Sequence, residues 1–184
     1  MPKAVGMIEL SSIAIGYYTQ DAMLKASNVE LLIARTICSG KYIVIVGGEV
    51  SEVNSSVEVG LNAAPDAIID HMILPNVHES VFPALAQSAA LKESQLDALG
   101  VVETFTASSI VEAADAAAKA ASVFLFRIHV AMAIGGKGFL MLTGDVSAVN
   151  AAVEAAAAVA IQRGVLVSHV VIPRPSKELF SEYI

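Results

Sequence analysis

The apolar and polar positions of this chain predict the same order of elements in each half. A short apolar strand leads into an amphipathic helix, two strands and a second helix follow, and a last strand ends at a proline. Strands are predicted at 4–10, 29–37, 41–46 and 67–74, and again at 99–104, 123–134, 139–142 and 165–172. The first helix of each half is predicted at about 16–26 and 109–121. Ser51 and Ser147 are expected to cap the second helix.

The two halves also match residue by residue. Residues 5–29 align with 99–123 at an offset of 94, and the offset then becomes 96 and, from the last strand onward, 98. Identical pairs include Gly6/Gly100, Glu9/Glu103, Asp21/Asp115, Lys25/Lys119, Lys41/Lys137, Val50/Val146, His71/His169, Pro75/Pro173 and Phe82/Phe180. Such collinear matches indicate a tandem duplication. We predict an α/β (α+β) protein made of two ferredoxin-like β-α-β-β-α-β domains, at 1–90 and 95–184, joined by a polar linker.

The amino-acid composition indicates that this chain binds a partner. Hydrophobic residues make up 55% of the 184 positions and charged residues only 16%, so the chain has more apolar surface than a free domain needs. We therefore expect an obligate assembly. A net charge of −7 without a basic cluster argues against nucleic acid. No apolar run approaches the length of about 18 residues that indicates a membrane span, and no signal-peptide pattern is seen, so a cytoplasmic location is expected.

Candidate chemistry is sparse. Cys38 is the one cysteine, so an intrachain disulfide is excluded. The glycine-rich stretch 135–138 lacks the Ser or Thr that a phosphate-binding Walker loop requires after its lysine. His71 and His169 fall on the last strand of each half, where structural or surface roles are expected. No catalytic constellation can be identified, and we do not expect an enzyme.

The repeated motifs identify a family. Both halves carry a Gly–apolar–apolar–Glu strand, an Asp-Ala-x-x-Lys-Ala helix, a Gly-Lys loop and a Gly-(Glu/Asp)-Val-Ser-x-Val turn, and the second half ends in Ile-Pro-Arg-Pro. This pattern resembles the shell proteins of bacterial microcompartments over nearly the whole chain. The unpermuted order and the cysteine beside the first Gly-Lys loop resemble the tandem-domain trimeric subtype of propanediol-utilisation compartments, whose members hold an iron–sulfur cluster.

The resemblance implies a homotrimer that forms a pseudohexamer of six domains and assembles with other shell proteins. It places these loop residues around a central opening or pore: Thr36, Ile37, Ser39, Gly40, Ile134, Gly135, Gly136 and Lys137. Three copies of Cys38 would bind one [4Fe–4S] cluster per trimer as its metal ligands. The implied role of that cluster is electron transport, or delivery of clusters to an enclosed redox enzyme.

Each pseudohexamer is one tile of the shell, and the resemblance also places Lys25, Lys119 and Arg174 at the tile edge, where neighbouring tiles meet. The first half departs from the pattern, because it has Asn76 in the position of the arginine. Other interpretations of these residues stay open. Each lysine can be a solvated helix residue, and Cys38 can be a small packed thiol. The tile can then be passive, with a pore that conducts small metabolites and holds no cluster. A ferredoxin-like enzyme or ligand sensor is a third class that no residue set supports.

Overall fold

The computed structural model describes residues 2–181 and 183, and the chain forms two compact units that divide between Val77 and His78. Each unit is one four-stranded antiparallel sheet with two long helices packed against one face. This arrangement confirms the predicted tandem duplication of a ferredoxin-like fold. Within the described residues, none of the helices has both the length and the apolar character that crossing a membrane requires.

The first unit contains four strands and two helices. The strands are β1 (Ala4–Leu10), β2 (Glu30–Ile37), β3 (Lys41–Gly48) and β4 (Ile68–Pro75), and the helices are α1 (Ile13–Ala26) and α2 (Val50–Ala63). The sheet order is β2-β3-β1-β4, so the first strand lies inside the sheet between the third and the fourth. The β2–β3 hairpin therefore forms one side of the sheet, with β2 at its edge.

The second unit repeats this plan after an additional short helix, α3 (Val81–Leu85). Its strands are β5 (Ala98–Thr104), β6 (Phe124–Val130), β7 (Gly138–Gly144) and β8 (Leu166–Ile172), and its long helices are α4 (Ala107–Ala120) and α5 (Val146–Gln162). The sheet order β6-β7-β5-β8 is equivalent to that of the first unit. Every sheet element of one unit thus has a counterpart in the other.

A glycine in the central strand of each sheet determines how closely the second helix packs. A Cβ on Gly6 would lie 2.6 Å from Val57 of α2, and one on Gly100 would lie 2.7 Å from Val153 of α5. A distance below 3.0 Å forces atoms to move, so the sequence identity at this pair reflects a close strand–helix approach. This contact is part of the apolar core between helices and sheet.

The structure corrects the predicted caps. The second helices begin after Glu49 and Asp145, two residues before the serines expected to cap them. The Asp145 carboxylate accepts hydrogen bonds from the backbone N–H groups of Ser147 and Ala148, both at 3.0 Å. Ser147 is therefore not the capping residue. Its backbone N–H is capped by Asp145, and its hydroxyl also donates to the Asp145 carboxylate. At the start of α5, the aspartate that precedes the helix has the capping role that was predicted for the serine.

The end of β6 and the division between units also differ from expectation. β6 ends at Val130 and not at Ile134, because Ala131 has a left-handed φ of 57° that terminates the strand. The predicted first domain includes residues 78–90, but in the structure these residues belong to the second unit. The His78 N–H donates to Asp115 at 2.7 Å, and α3 packs against β6 and α4.

Candidate functional site

The two loops expected at the central opening are equivalent hairpin connections, one in each unit. Loop 1 is the 3₁₀ turn Cys38–Gly40 between β2 and β3, and loop 2 comprises residues 131–137 between β6 and β7. Both reverse the chain at the same end of the corresponding sheet. The residues predicted to line the opening thus fall into two groups at equivalent places in the fold.

Loop 1 is short and tightly turned. Ser39 and Gly40 both have left-handed backbone, with φ of 65° and 73°, which reverses the chain within three residues. Thr36 is exposed near the end of β2, whereas the Ile37 side chain is buried and fixes the start of the turn. Cys38, the first residue of the turn, is half-buried.

Loop 2 is longer and contains more left-handed backbone than loop 1. Ala131, Ala133, Gly135 and Gly136 all have positive φ, and the two alanines adopt this conformation at a steric cost that glycine would not incur. His129 stabilises the conformation, since its Nε2 lies 2.7 Å from the carbonyl oxygen of Met132 and its ring stacks on Phe139. Ile134 lies half-buried at the middle of the loop.

The lysine that follows each loop is paired with a glutamate of the central strand. Lys41 Nζ lies 2.9 Å from Glu9 Oε1, and Lys137 Nζ lies 2.9 Å from Glu103 Oε1. Glu9 is almost fully buried, so its charge requires this partner. The pairs fix the base of both hairpins. Glutamate and lysine each matched across the repeat, and this joint match was a signal from which their contact could have been predicted.

One chain offers an incomplete donor set for a metal cluster. Within residues 2–181 and 183, no group of three or more His, Cys, Asp or Glu side chains is arranged to hold a metal ion. Cys38 therefore supplies a single sulfur, and an iron–sulfur cluster, which is bound by several thiolates, fits these residues only when copies of loop 1 from several chains converge.

The residues expected at the tile edge lie away from the two loops. Lys25 and Lys119 are in the last turns of α1 and α4, and each is paired with an aspartate one turn earlier at 2.6 Å. β2 begins just after α1 and ends at loop 1, which separates the Lys25 end from Cys38 by about 23 Å at the usual rise of an extended strand. Arg174 is exposed, just after β8.

Comparisons with known proteins agree with this architecture. The BMC domain model matches twice, at residues 4–77 and 98–175. The bacterial microcompartment shell protein PduT of Citrobacter freundii is 42% identical over 184 residues, which cover 100% of this chain and 99% of that protein. The shell protein EutM of Salmonella typhimurium is 45% identical over 84 residues, covering 46% of this chain and 85% of that protein.

A solved structure extends the agreement to three dimensions. The crystal structure of a microcompartment protein from Desulfitobacterium hafniense superposes with a TM-score of 0.94 at 45% identity, and the match covers 98% of this chain and 99% of that one. PduT and EutM are shell proteins and not enzymes. The chain therefore belongs to the family of bacterial microcompartment shell proteins and carries the BMC domain in two tandem copies.

Proposed function

We propose that three copies of this chain form a pseudohexameric shell tile in which three copies of loop 1 meet at the central opening and hold one [4Fe–4S] cluster. The observation that carries the proposal is Cys38 in the tight turn of loop 1, at the position equivalent to loop 2 in the repeat. Six hairpins of two alternating kinds would surround the axis, and only the loop 1 hairpins carry sulfur. The full-length similarity to PduT supports a shell role.

The symmetry of a trimer suits this donor set. A cubane cluster has threefold axes that pass through one iron, so three equivalent thiolates can bind the other three irons. Protein clusters of this type usually take four thiolates, and a chain with one cysteine gives a symmetric trimer three. Water, a small molecule or another protein would supply the remaining ligand. When bound, the cluster would provide one-electron chemistry at the shell, or be passed to an enclosed redox enzyme.

The lysines beside the two loops would add little unpaired positive charge around such a cluster. The ammonium groups nearest the loops in sequence, those of Lys41 and Lys137, are already paired with strand glutamates. The turn itself presents the backbone of Ser39 and Gly40. The same observation favours a second candidate, a passive tile whose opening conducts small metabolites, because loops without unpaired lysines impose little charge selection on what passes.

Iron analysis of Cys38→Ser tests which candidate is right. The wild-type protein purified without oxygen should contain about four irons and four acid-labile sulfides per trimer and absorb broadly near ~400 nm, as thiolate-bound clusters do. Cys38→Ser should lose iron, sulfide and colour while remaining trimeric, because a turn residue contributes little to the core. Ser39→Ala, next in the same turn, should keep the cluster.

Two results would contradict the cluster. Wild-type protein that is colourless and iron-free after anaerobic purification would favour the passive tile. Iron retained by the Cys38→Ser variant would show that other side chains bind the metal. The trimer is tested separately, because sedimentation equilibrium should give about three times the chain mass of 19.1 kDa.

A further inference from the structure

Equivalent faces of the first helix in each unit differ in exposure. We call Tyr17 and Asp21 the α1 face; the repeat aligns them with Val111 and Asp115, the α4 face. Tyr17 is 62% exposed and Val111 is 0% exposed. The Asp21 side chain is 61% exposed and that of Asp115 is 7% exposed. A face that is covered in one copy of a repeated domain is therefore open in the other.

The cover on the α4 face is the segment that follows β4. The His78 N–H donates to Asp115 Oδ1 at 2.7 Å, and α3 packs against α4 and β6. Val81 and Leu85 of α3 are both buried. In sequence this segment is the end of the first repeat, yet in the structure it belongs to the second unit. The tail of one repeat thus covers the helix of the next.

The second repeat has a tail with the same start. Asn76 after β4 and Arg174 after β8 are equivalent positions, and both have left-handed φ, 53° and 51°, so the two tails leave their sheets with the same local turn. Phe180 holds the second tail to its own unit by packing against Phe126. Leu179, the equivalent of buried Val81, is 48% exposed. This chain has two units, so the described residues offer no third helix for that tail to cover.

We propose that the tail of one copy, residues 174–181, covers the α1 face of a second copy. The Ser176 N–H then donates to Asp21, as the His78 N–H donates to Asp115, and Leu179 packs near Tyr17. Asp21 is already oriented for this role, because Lys25 and Lys119 hold the two aspartates with the same 2.6 Å pair. The contact is heterologous, so it closes a ring when three copies repeat it. The inference rests on the proposed trimer and specifies which surfaces form it.

Cross-linking between chains tests the contact directly. In a Cys38→Ser background, Asp21→Cys is combined with Ser176→Cys and treated with a short bis-maleimide reagent at low protein concentration. We expect covalent dimers and trimers on denaturing gels, whereas each single-cysteine variant should give single chains. The matched control combines His78→Cys with Asp115→Cys. It should react within one chain, so its thiols disappear while its mass stays that of one chain plus the reagent.

The outcomes separate this contact from the trimer itself. Protein that sediments as a trimer but gives only single chains after cross-linking would overturn the contact and leave the ring intact. Protein that is monomeric before cross-linking would reject the ring, and the contact with it. Covalent species larger than three chains would show an open filament and would also contradict the closed ring.

A second pair of variants needs no introduced cysteine. Asp21→Ala removes the proposed acceptor, so the concentration at which the trimer dissociates should rise about tenfold or more, since hydrogen bonds to charged groups are the stronger ones. Lys25→Ala breaks the same ion pair but keeps the carboxylate, so it should raise that concentration by clearly less than Asp21→Ala does. Equal effects of the two variants would assign the loss to the ion pair and contradict the proposed acceptor role.

Discussion

At the residue scale, the two repeats fill the same space with opposite choices of large and small side chains. In the first unit, Gly16 of α1 lies under the Tyr42 ring, and a Cβ on that glycine would lie 2.4 Å from Tyr42 Cγ. In the second unit the aligned positions are reversed, since Ile110 of α4 packs over Gly138 of β7 at 2.5 Å from its Cβ position. Each pair sets one glycine against one large side chain, so the space between helix and sheet is filled from one side only.

Gly16→Ala should therefore destabilise the protein even though alanine is the better helix former. Overpacking costs about 1–3 kcal/mol, and the gain in helix propensity is about 1 kcal/mol. The added methyl group meets the base of the Tyr42 ring, which the backbone holds in place. Urea unfolding at fixed chain concentration should show a lower free energy of unfolding, while Ser55→Ala on the exposed face of α2 should change it little.

The reversed pair supplies a sharper version of the same experiment. Gly16→Ile and Tyr42→Gly together reproduce the choice made in the second unit. The double variant should be less destabilised than the sum of the single variants by about 0.5–3 kcal/mol, the usual coupling of residues in contact. Strict additivity would mean that the two positions do not share one packing volume.

At the scale of elements, the second helices differ in whether a side chain accepts hydrogen bonds from the backbone N–H groups of the first turn. Asp145 accepts backbone hydrogen bonds at the start of α5, whereas no side chain caps α2 at Glu49. The hydroxyl of Ser147 and the N–H of Ala148 lower the pKa of Asp145 below its ordinary 3.8. Because the pKa of Asp145 is lower in the folded state than in the unfolded state, the ionised cap stabilises the fold at any pH above the unfolded-state pKa. This contribution is lost as the pH falls through the folded-state pKa.

Asp145→Ala should consequently lower the melting temperature at neutral pH, and the difference from wild type should narrow as the pH falls below 3.8. Glu49→Ala provides the matched control, because the equivalent residue makes no cap and its replacement should have a smaller effect at neutral pH. Melting curves at several pH values measure both. A difference that stays constant down to strongly acidic pH would show that the carboxylate charge does not stabilise the helix.

The sequence predicted the elements well where a period or a repeat marks them, and poorly where one backbone angle decides. The order of strands and helices followed from alternation and from the match between halves, and both sheets have it. β6 was predicted four residues too long, because Ala131 and Ala133 look like ordinary strand residues and nothing in their chemistry announces left-handed backbone. The tail 78–90 was assigned to the wrong unit for a related reason, since the contact of His78 with Asp115 is a tertiary one.

At the scale of the whole molecule, the candidate site depends on how many copies of the chain assemble, and the sequence does not specify that number. Sequence reasoning found both loops and Cys38, and the structure places them at equivalent hairpins. Whether three thiols meet is a property of the assembly, because one chain holds one sulfur. The same holds for Tyr17 of the open α1 face and for Leu179, two large exposed side chains that a second copy would cover in the proposed contact.

Arg174, which the family resemblance places at the tile edge, also has a feature that the single chain does not explain. Its φ of 51° lies in a region that arginine rarely adopts and that asparagine tolerates, and the equivalent position in the first half is Asn76 at 53°. The chain therefore keeps a strained arginine where an unstrained residue is available. We expect a contact outside the chain to be the reason, since strain at one residue commonly accompanies a functional requirement there.

Arg174→Asn should separate the stability of the trimer from the assembly of tiles. Asparagine relieves the backbone strain, so the melting temperature should stay the same or rise, and sedimentation should still give a trimer. Sheets or shells seen by electron microscopy should form only at higher protein concentration, because each edge loses an arginine and a lattice repeats that loss many times. Lys92→Ala removes an equal charge from an exposed position outside the tail. If that variant impairs sheets as strongly as Arg174→Asn, net charge is the cause and the edge role of Arg174 is wrong.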